Sequence, residues 1–346
     1  MPRRPKIPFW RKPWFWLPVI ALNLGLAAAM FWVFAPMTLR TPVVDLAIEP
    51  GTSVRGVAQA VVSSGVETSP QALWLLMRLS GQSRLLRAGS YEIVSGTSPW
   101  ALLRKLVRGD QSLRALTVVE GWTLAQMRRL VDQAEHLRHD TLGLSDEALM
   151  AKLGRAGVPA EGRFFPDTYT YGKGSSDLRI YERALRAMDR QLESAWLARE
   201  SAVALTDPQQ TLILASIIEK ETGRPSDRPM ISSVFHNRLR IGMPLQTDPT
   251  VIYGLGSTFD GNLKRIHLRT DHPWNTYTRN GLPPTPIALP GKAALLAAVQ
   301  PAQSKALYFV ARGDGSSQFS DDLNAHNDAV ARYQLKRSAP SSVKAQ

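Results

Sequence analysis

Between Trp14 and Ala35 the chain carries no charged side chain and is almost wholly apolar. At 1.5 Å per helical residue this stretch spans about 33 Å, enough to cross the hydrocarbon core of a bilayer. No other feature narrows the architecture so far, because a spanning segment must be helical and leaves the remainder to fold outside the lipid. Trp14, Trp16 and Trp32 lie near its ends, where interfacial aromatics sit. Residues 1–13 hold Arg3, Arg4, Lys6, Arg11 and Lys12 and no acid. The positive-inside rule keeps that tail in the cytoplasm and puts everything beyond residues 14–36 outside. A cleaved signal peptide is the alternative, with Ala27, Ala28 and Ala29 as its small residues. The apolar run continues through Met30 to Phe34, longer than a signal core, and favours a retained anchor.

The chain has no cysteine, which removes both a disulfide framework and a thiol nucleophile. Its formal net charge of +13 calls for an anionic neighbour. No zinc-finger or RNA-binding signature accompanies the charge, so nucleic acid is set aside. An anionic membrane surface or an acidic wall polymer fits better.

Beyond the anchor the pattern is α+β in two parts. Residues 44–109 read as a small module: a strand over Val43–Ile48, helices over 54–63 and 70–79, a strand near Tyr91, and a closing helix from Pro99. It is either a spacer or a glycan-binding module. Residues 116–334 form the larger domain, with helices near 124–134, 145–156, 177–200, 206–223 and 228–239. From Gly242 to Pro290 the composition predicts an irregular, functional stretch. Strands near 306–310 and 318–320 and a helix over 324–334 follow, and residues 335–346 are expected to be disordered.

The helix over Thr206–Gly223 carries the candidate chemistry. Asp207 fits its N-cap, Pro208 its first position and Gly223 its C-terminal stop. Leu212 to Ile218 are apolar on nearly every face, which describes a buried helix. Glu219 follows directly. A carboxyl group in apolar surroundings has its pKa raised and can act as a general acid. Alternatively Glu219 and Glu221 are simply the solvated end of a core helix. Two positions apart, they cannot form a same-face pair.

Several segments in one order carry a resemblance: Glu161–Tyr169 (EGRFFPDTY), Ala215–Thr222 (ASIIEKET), Val234–Leu239 (VFHNRL), Leu245–Gly254 (LQTDPTVIYG), Asn275–Tyr277, Gly281–Pro284 and Asn324–Asn327 (NAHN). The sequence resembles the YceG-like (MltG-type) endolytic murein transglycosylases over nearly everything after the anchor. The resemblance implies an inner-membrane enzyme that cuts nascent peptidoglycan strands, leaves 1,6-anhydro-MurNAc ends and needs no cofactor. It implies that residues 44–109 are LysM-like, that the catalytic domain is periplasmic, and that peptidoglycan synthases or divisome and elongasome proteins are partner classes. It matches the catalytic acid to Glu219.

Gln246, Thr247, Asp248, Tyr253, Asn275, Tyr277 and Asn324 are expected to line the substrate cleft, with Glu221, Ser216 and Tyr169 in support. Asp248 is equally a turn carboxylate before Pro249. His236 and His326 lack metal-ligand spacing, and packing or hydrogen bonding explains them better. A non-catalytic wall-binding scaffold remains open. So does a hydrolase with Asp248 or Glu221 as its second carboxylate.

Overall fold

The structure, a computed structural model, describes residues 13–335. The chain divides into two compact units. Among the described residues, 13–115, 136–138 and 170–175 make the first, and 116–135, 139–169 and 176–335 the second.

The first unit opens with α1 (Pro13–Phe34), whose span Trp16–Phe34 has a mean hydropathy of 2.0 and is buried nowhere in the protein. A helix apolar on all sides and uncovered is suited to lipid. β1 (Thr38–Leu39), β2 (Val43–Ile48), α2 (Val54–Ser63), β3 (Val66–Glu67), α3 (Pro70–Leu79), β4 (Gly89–Val94) and α4 (Pro99–Arg108) follow. β2 and β4 pair antiparallel with Val44 facing Ile93 and Leu46 facing Tyr91. β2 alternates exposed and buried residues, so one face of the sheet closes on Val57, Val61, Leu73, Met77, Leu102 and Leu106. Ser53, Ser69 and Ser98 cap the three helices through their hydroxyls. Within this unit the end of α1 is tied down by Met37 N–H donating to Thr97 O at 2.9 Å, and by the Phe34 ring 6.3 Å from Trp100.

Next come β5 (Leu113–Thr117), α5 (Leu124–Asp132), α6 (Asp146–Lys152), β6 (Thr168–Gly172), α7 (Leu178–Leu197), α8 (Pro208–Glu221), α9 (Arg228–Arg240), α10 (Asp248–Leu255), α11 (Arg265–Arg269), α12 (Lys292–Val299), β7 (Tyr308–Ala311), β8 (Ser317–Ser320) and α13 (Leu323–Val330). α8 is the axis of the second unit. Thr211 to Ile218 are all buried, packed by Met188 of α7, Phe235 of α9 and Leu295 of α12. The Asp207 carboxylate accepts Gln210 N–H at 2.9 Å and fixes the start of α8. The end differs from the expected glycine stop: the helix finishes at Glu221, and Thr222 is extended at φ −147°.

The stretch expected to be irregular holds α10 and α11. Pro249 sits in the first turn of α10, where it costs no hydrogen bond, and Val251 is buried. A helix of eight residues is too short to declare a period.

Candidate active site

α8 sends two carboxylates in different directions, because positions two apart do not share a helix face. Glu219 turns inward. Its Oε1 accepts Arg228 Nη2–H at 2.8 Å and its Oε2 accepts Gly291 N–H at 2.9 Å. The Glu219 side chain is 5% exposed and that of Arg228 10%. Burial raises the Glu219 pKa, against the pull of the Gly291 N–H and the Arg228 guanidinium. Its surroundings are built by a run of backbone pairing. Ile287 N–H donates to Ser216 Oγ at 3.0 Å, and Gly121 N–H to Leu289 O at 2.9 Å. Glu120 covers Gly291 so closely that a Cβ there would stand 1.9 Å from its Oε1.

Gly162 supports the same run. It holds φ +80°, and a Cβ on it would lie 2.4 Å from Pro286 Cβ. Gly162→Ala is therefore expected to destabilise the second unit by about 2 kcal/mol, from left-handed strain and the displaced proline together. A thermal melt unchanged within about 0.5 kcal/mol would show that the run 286–291 tolerates the shift.

Glu221 turns the other way, onto a cavity of about 640 Å³. Gln246, Asp248, Tyr277, His326 and Asn327 share its wall. The Glu221 carboxyl is pushed up to about 7, chiefly by burial and further by the Asp248 charge, with the Thr247 hydroxyl bond and Arg238 pulling the other way. Thr247 donates that bond to Oε1. Asp248 Oδ1 accepts the Tyr277 hydroxyl at 2.5 Å. Gln246 holds φ +49°, a conformation that side-chain-bearing residues rarely adopt and that collects at functional sites. Arg238 ties the two walls together: its Nε donates to Leu307 O at 2.7 Å and its Nη1 to Leu245 O at 2.7 Å. His326 stacks on Tyr308 with centroids 5.1 Å apart. Burial lowers the His326 pKa, so the ring is neutral near neutral pH.

The expected site residues thus separate. Gln246, Asp248, Tyr277 and Glu221 meet on the cavity, with Thr247 just behind its wall. Glu219 is not among the residues that line it; its carboxylate is held by Arg228 and the Gly291 N–H. Tyr253 points its hydroxyl at Glu161, 3.3 Å away, and packs its ring on Trp274. Asn275 is fully buried, its amide spent on His267, Leu268 and Thr270 carbonyls and its oxygen on Tyr277 N–H, so it shapes the loop. Ser216 and Tyr169 are buried, their hydroxyls donating to Ile213 O and Phe165 O. Asn324 is exposed on α13 and stands off the cavity wall, where His326 and Asn327 stand instead.

His326 packs on Tyr308, as expected from the sequence, whereas Arg228, Arg238 and Asn327 were not singled out because their places depend on contacts between distant segments. The two arginines gave one weak signal: charged residues inside otherwise buried helical stretches demand partners. Glu161 is a further buried carboxyl, pushed up to about 7 by burial, but it accepts Leu124 N–H at 3.0 Å and serves the start of α5. His236 is a satisfied core histidine, bonded to Ala204 N–H and Ala298 O. Among the described residues no group of three or more acidic or histidine side chains is placed to hold a metal.

The YceG-like family model matches residues 46–332. An endolytic murein transglycosylase of Bacillus subtilis is 32% identical over 309 residues, covering 84% of each chain. One from Streptococcus pneumoniae is 28% identical over 284 residues, covering 72% of this chain and 51% of the other. The crystal structure of a YceG-like protein from Listeria monocytogenes superposes with a TM-score of 0.53 at 29% identity, covering 83% of this chain and 98% of that one.

Proposed function

From this chain's membership of the YceG-like family, we propose that it is a lytic murein transglycosylase whose proton donor is Glu221. The observation that carries the assignment is the place of this carboxyl on the wall of the 640 Å³ cavity, with burial pushing its pKa up to about 7. The resemblance read from sequence put this role on Glu219. Glu219 stands as the alternative donor: burial raises its pKa too, while Arg228 and the Gly291 N–H hold its carboxylate in place.

In the proposed reaction the Glu221 carboxylic acid protonates the glycosidic oxygen between MurNAc and GlcNAc as that bond breaks. The resulting carboxylate takes the proton from the C6 hydroxyl of MurNAc, whose oxygen closes on its own anomeric carbon. The product is a 1,6-anhydro-MurNAc end, no water is consumed, and Glu221 ends protonated as it began. An intramolecular nucleophile gains from high effective concentration, so one carboxyl suffices. Asp248 supports a second reading. Its carboxylate shares the cavity and could activate water in a hydrolase.

Mass spectrometry of digested glycan strands separates the two. Anhydro ends from the native protein support the transglycosylase; reducing MurNAc ends would transfer the assignment to hydrolysis. The pH profile gives an independent check. Glu221 must be protonated to act, so cleavage is expected to fall as pH rises through about 7. A rate flat from pH 6 to 9 would remove Glu221 from that role.

α1 is read as a retained inner-membrane anchor with the catalytic unit periplasmic, which suits cutting near the sites where strands are made and ending their growth. The order β2–α2–α3–β4 with an antiparallel strand pair supports a LysM-like reading of residues 44–109. Synthases and divisome or elongasome proteins remain the partner classes this role calls for.

A further inference from the structure

β7 is paired on one side only. Among the described residues its one strand neighbour is β8, with Tyr308 facing Ser320 and Val310 facing Gln318. Arg312 N–H donates to Ser316 O at 2.8 Å in that same register. Antiparallel pairing alternates, so residues 308, 310 and 312 direct their backbone groups to β8 while Phe309 and Ala311 direct theirs outward. No described residue bonds those outward groups. The alternation breaks just before this, where Leu307 N–H also donates to Ser320 O at 3.0 Å, while Leu307 O accepts Arg238 Nε–H on the cavity side. All of Tyr308 to Ala311 line the cavity. Side chains on a strand alternate between faces, so four consecutive lining residues mean that the backbone edge itself borders the space.

An open strand edge inside a cavity is a template for an extended peptide. We infer that this edge takes the peptide carried on the lactyl group of MurNAc, pairing it with Phe309 and Ala311 while the attached sugar sits at Glu221. Arg312, exposed where the edge ends, complements the carboxylates of such a peptide. The inference rests on the murein reading of the cavity. It makes the preferred substrate a peptide-bearing strand rather than a bare glycan.

The test is calorimetric binding of a peptide-bearing disaccharide fragment and of its peptide-free counterpart to the full chain carrying Glu221→Gln. The peptide is expected to strengthen binding about tenfold, the net worth of one to two hydrogen bonds. Ala311→Pro removes one outward N–H without touching the bonds to β8, so it should collapse that ratio toward one. Ala311→Val keeps the N–H and should retain the ratio, which separates the loss of a donor from disturbance of the strand. Equal binding of the two fragments, or an unchanged ratio in Ala311→Pro, would overturn the inference. So would dimerisation through this edge, abolished by Ala311→Pro with no peptide effect. Cleavage by the native chain is scored separately. A peptide effect on binding without cleavage of either strand would count against the transglycosylase reading and leave the edge in place.

Discussion

Glu221→Gln is expected to cut the rate of glycan cleavage by about 10²- to 10⁴-fold, the usual worth of a positioned general acid. The amide still offers an oxygen to the Thr247 hydroxyl, so the fold should survive and melting should hardly move. Glu219→Gln is expected to behave in the opposite way. It removes the charge facing Arg228, lowers stability, and reduces activity mainly by reducing the folded fraction. The pair of variants therefore needs two readouts, anhydro-end formation per folded molecule and thermal unfolding. A folded Glu219→Gln protein without activity, beside an active Glu221→Gln, would return the proton donor to Glu219.

The largest expected effect on stability comes from Arg228→Ala. The guanidinium meets Glu219 at 2.8 Å with both side chains nearly closed to solvent. Removing one member of such a pair strands the other charge in a poorly solvating place, at a cost of about 3–5 kcal/mol. For a unit of this size the melting temperature should fall by roughly 10 °C. Adding Glu219→Gln to Arg228→Ala should recover part of that loss, since the stranded charge is then gone. A double variant as unstable as the sum of the singles would mean that the two side chains act independently.

What was legible in the sequence depended on range. The caps of α8 at Asp207 and Pro208 and its apolar body could be read directly, because both are properties of a few adjacent residues. So could α1, which needs only length and hydropathy. The different surroundings of Glu219 and Glu221 could not, since Gly291 and Arg228 reach one carboxylate and Thr247 and Asp248 the other. Asn275 shows the same limit from the other side. A polar side chain in a Pro- and Gly-rich loop looks like a ligand-binding group until its bonds to three carbonyls are seen. Gly223 invited a glycine cap, yet the helix ends two residues earlier, with Thr222 extended.

Glu221 is the terminal residue of a helix whose middle, Thr211–Ile218, is buried in the core, whereas its neighbours on the cavity come from the loop before α10, from β7 and from α13. On the proposed assignment, the acid and the surfaces around it thus belong to separately replaceable parts. Grafting another family member's residues 245–248 or 323–330 would exchange selectivity while leaving the acid and the folding core where they are.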